Sequence, residues 1–274
     1  MKCSARARCL VMLGALAAVL VPLVLAGCAT TGINRGQINV ITSDQEVKMG
    51  QEMSAEVAKQ YEIYNNAAVT AYVQRVGMRI VRSCDRRDID YHFAVIKKDE
   101  VNAFALPGGY VYVYTGLMKV VDDEAQLASV IAHEVGHVAA RHATERLTAT
   151  YGYQFVLGLV LGENPNGYMK LITDMASTGG FLKYSRNNEF EADQLGAKYA
   201  YAAGYDPAGM VELLGKLKGL EAREPGKFET WLMTHPATSD RLARVQAEVA
   251  AFPKLANPMR NAEGYRPIKA LLPN

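Results

Sequence analysis

The residues from His133 to His137 read His-Glu-Val-Gly-His, two imidazoles four positions apart with a carboxylate between them. On a helix, positions four apart project from one face, where two histidines must lie to share one cation. Glu134 is turned about 100° from His133, so it can serve a water activated by that cation without occupying the cation itself. This is the placement of a general base in metal-assisted hydrolysis. Two incidental histidines on an amphipathic helix would instead bury a polar face without compensation.

A catalytic zinc needs a third protein ligand and keeps one position open. A further histidine three residues past a glycine on the same helix would complete a metzincin site, but those positions hold Ala140 and Ala143. His142 stands nine residues after His133, about 180° round a continuous helix, and reads as structural. The better donors lie in Asn188-Glu189-Phe190-Glu191-Ala192-Asp193. Glu189 and Asp193 share a helix face, whereas Glu191 points about 200° away from Glu189. Glu189 is therefore expected on the metal, with Asp193 accepting the free N–H of a ligating histidine. Glu191 is expected to be solvated or ion-paired, and it remains the rival ligand. The cofactor implied is one Zn²⁺ per chain.

These donors must be positioned by helices. Leu127, Val130, Ile131, Val135 and Val138 give the metal helix a broad apolar face, with Asp122, Asp123 and Glu124 in its first turn, near the positive end of the dipole. The pattern predicts one helix from Asp122 to about Leu147, central to the fold. Ser43 and Glu46 read as a capping box opening a helix to about Tyr61, and Val69, Val73, Val76 and Ile80 mark another from about Asn66 to Arg82. Three strands are expected at Tyr91–Ile96, Val101–Leu106 and Tyr110–Tyr114, the last two joined through Pro107-Gly108-Gly109. Residues 151–182 read as a flap or helical hairpin. Helices follow at about Arg186–Ala203, Pro207–Leu220 and Ser239–Ala251. Pro253, Pro258, Pro267 and Pro273 predict an irregular tail over 253–274. The fold class is α+β, mainly helical, with a small sheet.

The 274 residues are half hydrophobic, enough for a sizeable core, and no internal repeat is visible. Lys2, Arg6 and Arg8 followed by the apolar run Leu10–Leu25 form an export leader over 1–27. Leu25-Ala26-Gly27-Cys28 looks like a bacterial lipobox, which implies cleavage before Cys28 and lipidation of its sulfur. A retained signal anchor is the alternative reading. With lipidation, residues 28–42 become a tether, 43–252 the catalytic domain, and the protein sits on a membrane by its acyl chains. Ala29 and Thr30 favour the outer membrane in a cell that has two. Losing the leader takes the formal charge from +2 to −1, which leaves no electrostatic case for nucleic acid. Of four cysteines only Cys84 then remains without a role, so no internal disulfide forms.

Beyond the histidine pair the chain carries Asn102-Ala103-Phe104, Pro107-Gly108-Gly109, Thr115-Gly116-Leu117, Ser185-Arg186 ahead of Glu189 and Asp193, and His235-Pro236 with Arg241. In this order and spacing, over about residues 100–245, it resembles the gluzincin metallopeptidases of peptidase family M48. That group includes HtpX, BepA, the Oma-type proteases and the prenyl-protein (CAAX) endopeptidases. The resemblance implies a zincin-like endopeptidase with Glu189 as third ligand and unfolded polypeptide as substrate. It implies that Val101–Leu106 is an edge strand flanking the metal helix, on which substrate backbone pairs, with Asn102 near the reacting carbonyl. An ordinary hairpin strand is the alternative. Two roles are open to His235, steadying the oxyanion or closing the metal's free position, and Arg241 holds that loop, binds substrate or forms a surface ion pair. No membrane span follows Cys28, and 274 residues leave no room for a helical-repeat domain of the BepA kind, so a compact periplasmic lipoprotein protease is the nearer comparison. A chaperone-like assembly factor with latent protease activity is the rival function. Oligomeric state is not legible.

Overall fold

The computed structural model describes residue 33 and residues 41–152, 154, 156, 158, 161–163, 165–177, 184–221, 226, 231, 235 and 239–273. The leader, Cys28, most of the tether and parts of 151–182 lie outside these. Residues Val40–Asn274 cluster as one unit. Among the described residues no helix is long and apolar enough to cross a membrane.

Helix α1 (Ser43–Gln60) opens on Thr42, whose hydroxyl accepts from the Gln45 N–H while the Gln45 side chain accepts from the Thr42 N–H. The capping box is thus one residue earlier than the expected Ser43–Glu46 pair, because Glu46 is buried and engaged elsewhere. Its carboxylate receives Arg86 (2.8 Å), Arg141 (2.6 Å) and the Gly108 N–H (3.3 Å). Helix α2 (Ala67–Val81) is capped by the Asn66 side chain and buries Val69, Val73, Val76 and Ile80, the stripe its periodicity marks.

Strands β1 (His92–Ile96), β2 (Ala103–Leu106) and β3 (Tyr110–Tyr114) form a mixed sheet in the order β1-β3-β2. β1 runs parallel to β3, and β2 runs antiparallel to it through the turn Pro107–Gly109. β2 is an edge strand, as expected, although all four of its residues are buried. Phe104, Leu106, Tyr112 and Tyr114 pack with Met49, Met53 and Val57 of α1 and with Leu171 and Ile172 of a later helix (Pro165–Ser177) in one apolar core.

After a short helix α3 (Thr115–Val120) comes α4 (Glu124–Ala139), every residue of which is buried. Asp123 caps it, and Glu124 in its first turn accepts from Tyr72 (2.6 Å), Tyr205 (2.8 Å), Arg75 and Asn261. The helix does not continue to Leu147 as the pattern suggests. It stops at Ala139, Arg141 takes a left-handed conformation (φ 56°, ψ 32°), and α5 (His142–Tyr151) starts in a new direction. A non-glycine residue adopts that conformation only when its surroundings hold it there. Here the holding group is Glu46, which pairs with the Arg141 guanidinium, while Arg141 Nη2 also donates to the Ile41 carbonyl.

The Pro165–Ser177 helix is α6. α7 (Arg186–Ala202) opens on a Ser185–Asn188 capping box and packs along α4 at two glycines. A methyl group at Gly196 would lie 2.9 Å from the His133 nitrogen, and one at Gly136 would lie 3.0 Å from the Ala192 carbonyl oxygen. Side chains at these two points would force the helices apart, so the close approach belongs to the sequence. α8 (Ala208–Glu221) and α9 (Ser239–Ala251) complete the helical layer.

The tail is not irregular throughout. Ala262–Ala270 forms helix α10 with Pro267 inside it. Tertiary contacts outweigh the lost proline hydrogen bond: Tyr265 is fully buried, donates to the Met118 carbonyl (2.6 Å) and packs on Tyr72, while Lys269 donates to the Val121 carbonyl. Arg260 pairs with Asp123, Asp206 and Glu212, which ties the tail to the start of the metal helix.

Candidate metal centre

The close approach of α4 and α7 brings three predicted ligands together. His133 Nε2 and His137 Nε2 face one another at 3.0 Å. Glu189 Oε2 lies 3.6 Å from the first and Oε1 lies 3.5 Å from the second. His235 enters the same cluster, with Nδ1 3.3 Å from His133 Nε2 and 3.0 Å from Glu189 Oε1. One ligand atom from each of the four falls within 4.8 Å of all the others, and all four residues are buried.

The donor set fits zinc. Burial pushes the His137 imidazole well below its ordinary value, which leaves it neutral with a lone pair to give. Burial alone would raise the Glu189 carboxyl, but His235, Arg241 and the His137 contact outweigh it and hold the group well below the usual carboxylate range. Two imidazoles and a carboxylate, converging in a buried space, are the usual ligands of a catalytic zinc.

Glu134 sits on the same helix and is fully buried, with Oε1 3.6 Å from His235 Nε2. Neither of its oxygens accepts a hydrogen bond from a described residue. Burial raises its pKa, which moves it toward the range useful to a base near neutrality.

Asp193, one turn after Glu189, places Oδ1 3.0 Å from His133 Nδ1. The carboxylate thus lies behind the ring, on the side opposite the Nε2 that faces the cluster. Arg241 from α9 grips Asp193 with two hydrogen bonds of 2.7 Å and reaches Glu189 Oε2 at 2.7 Å. It is 3% exposed, so the surface ion pair considered for it is not what forms. One guanidinium thus sets the positions of both carboxylates.

Asn102 is buried at the start of β2, where its side-chain oxygen accepts from the Ala103 N–H and its carbonyl from the Tyr114 N–H. None of its described contacts joins it to the four donors. Glu191, the rival ligand, is not in the cluster; it lies 3.2 Å from His142 Nε2. Two aromatic neighbours of the site, Tyr184 and Trp231, went unread in the sequence, and His142, read as structural, lies nearer than its spacing implies. Tyr184 stacks on the His137 ring at 4.1 Å, Trp231 packs on His235 at 4.9 Å, and His142, expected to face away, places Nδ1 2.9 Å from His137 Nδ1. No spacing rule points to the aromatics. Tyr184 precedes the α7 cap, and that adjacency was the one available signal.

Residues 67–249 match the profile of Peptidase family M48. The chain belongs to that family. It is similar to the beta-barrel assembly-enhancing protease of Escherichia coli strain K12, 33% identical over 214 residues, which cover 75% of this chain and 44% of the relative. It is also similar to the mitochondrial metalloendopeptidase OMA1 of Schizosaccharomyces pombe, 30% identical over 217 residues (78% of this chain, 64% of the relative). OMA1 of Arabidopsis thaliana is 37% identical over 160 residues, 56% of this chain and 30% of the relative. This M48 chain spans less than half the length of its bacterial relatives. Its group of three histidines and a glutamate is the kind of metal site that zinc peptidases of the family carry.

Proposed function

We propose that this M48 chain is a zinc-dependent endopeptidase that cleaves unfolded or misassembled proteins of the cell envelope, anchored by lipid on Cys28 at the periplasmic face of the outer membrane. The convergence of His133, His137 and Glu189 beside the buried carboxylate of Glu134, which accepts no hydrogen bond from a described residue, carries the catalytic part of this reading. The lipobox-like Leu25–Cys28 segment and the name of the bacterial relative, a beta-barrel assembly-enhancing protease, support the location and substrate class.

When bound, zinc lowers the pKa of a water toward about 7 and polarises the scissile carbonyl. His133, His137 and Glu189 would hold the ion, Asp193 would keep His133 in the tautomer that offers Nε2, and Arg241 pairs with both acids. Glu134 takes the proton from the attacking water and delivers it to the leaving amine nitrogen. An extended substrate segment aligned along β2 would bring its carbonyl near Asn102. The test is zinc analysis of the purified chain coupled to an assay on an unfolded protein. Cleavage is expected to stop on chelation and return with added zinc, and cleavage that survives complete removal of metal would reject the reading.

His235 supports a second statement about the same site. Its Nδ1, 3.0 Å from Glu189 Oε1 and 3.3 Å from His133 Nε2, is near enough to the other donors that His235 would be able to take the position a catalytic zinc keeps open, which would make the site latent. His235→Ala is expected to raise cleavage severalfold at unchanged zinc content. A fall of about 10²–10³-fold would assign the residue to the oxyanion instead. A latent site also suits the assembly-factor alternative. Client binding measured beside cleavage in the same variants separates the two, because an assembly factor binds equally well whether or not it cuts.

A further inference from the structure

His142 and Glu191 have no part in the chemistry above, yet together with His137 they form a continuous line of polar contacts. His142 is fully buried. Its Nδ1 lies 2.9 Å from His137 Nδ1, and its Nε2 lies 3.2 Å from Glu191 Oε2. The opposite nitrogen of His137 faces His133, Glu189 and His235.

The proton positions along this line follow from the end at the metal. If His137 gives its Nε2 lone pair to the ion, its proton is on Nδ1 and must be donated. The facing atom, His142 Nδ1, must then accept. That puts the His142 proton on Nε2, aimed at the Glu191 carboxylate. Each neutral ring so donates once and accepts once, and the line ends on an anion. The histidine pair has no other arrangement that satisfies both rings while leaving His137 Nε2 free for metal.

We propose that His142 and Glu191 are positioning residues that fix the tautomer and ring orientation of the ligand His137, as Asp193 does for His133. The inference rests on the reading of His137 as a metal ligand. It also gives the break after Ala139 a purpose. On a continuous helix His142 would face away from the cluster; the left-handed Arg141, held by Glu46, turns the chain so that His142 meets His137 from behind. Tyr184, stacked on the His137 ring, closes one of its faces.

The test is zinc affinity of the full chain by competition with a chelator, alongside imidazole nitrogen NMR of the zinc-loaded wild type. His142→Phe is expected to weaken zinc binding by about 10–100-fold. His142→Asn, whose side-chain oxygen falls near the place of Nδ1, should recover most of that loss, which a merely space-filling residue would not require. In the wild type the His142 proton should be found on Nε2 and the His137 proton on Nδ1. The proposal is overturned if the phenylalanine variant binds zinc as tightly as wild type, if asparagine is as weak as phenylalanine, or if His142 carries its proton on Nδ1. The NMR measurement decides the matter should the phenylalanine variant fail to fold. His137→Ala is the control: wild-type affinity there would remove the metal-ligand reading itself, whereas lost affinity there with none lost in His142→Phe counts against the relay alone.

Discussion

Glu134→Gln is expected to keep one zinc per chain while lowering the rate of cleavage of an unfolded protein by about 10²–10⁴-fold, the usual contribution of a positioned general base. The amide occupies the same volume on the fully buried face of α4, so packing is unchanged, and the three ligands and the Arg241 clamp are untouched. What is lost is the ability to accept a proton. No described residue donates a hydrogen bond to the wild-type oxygens, so the substitution breaks none among them. Zinc content measured on the same preparation separates loss of the base from loss of the metal. Turnover near the wild-type value would remove Glu134 from the mechanism, and the function proposed above would then need another base within reach of the cluster.

The parts of this site that were legible in the sequence are those fixed by local periodicity. Two histidines four residues apart declare a common helix face with Glu134 turned beside it, and Glu189 and Asp193 declare another face by the same four-residue spacing. The sheet was legible too, because β2 and β3 alternate around Pro107-Gly108-Gly109. Only strand ends moved, from Val101 to Ala103 and from Tyr91 to His92. What was missed depends on partners distant in the chain. The end of α4 is set by Glu46, 95 residues before Arg141, and no glycine or proline marks it. Without that break, His142 falls on the wrong side of a helix that does not exist. The proline-rich tail misleads for the same reason, since Tyr265 makes its helix through Met118 and Tyr72.

The same contrast between local and distant cause applies to the charges. Glu189 and Asp193 could be read from their spacing, but two carboxylates one turn apart in a buried position would repel each other and resist ionisation. The fold makes the pair tolerable by bringing in Arg241 from α9, 48 residues beyond Asp193. Burial alone would raise Asp193, and the guanidinium together with His133 more than reverses this, so that both acids stay ionised.

Arg241→Met should therefore be among the most destabilising single substitutions outside the apolar core. Removing one partner of a buried ion pair costs about 3–5 kcal/mol, because the charges left behind are uncompensated, and a domain has only about 5–15 kcal/mol in total. Methionine keeps much of the side-chain volume, so a cavity contributes little. The loss should also depend on metal. Zinc supplies positive charge next to Glu189, so it replaces part of what Arg241 provides, and the metal-free variant should suffer more than the loaded one. Expected in thermal or urea unfolding is a large loss of stability without zinc, partly restored by saturating zinc, with a zinc-induced gain greater than that of wild type. Asp193→Asn added to Arg241→Met should recover some of the metal-free loss by deleting one of the stranded charges. A metal-free variant as stable as wild type would mean that Arg241 does not compensate these acids, and the electrostatic account of how Glu189 is kept ready for a cation would fail with it.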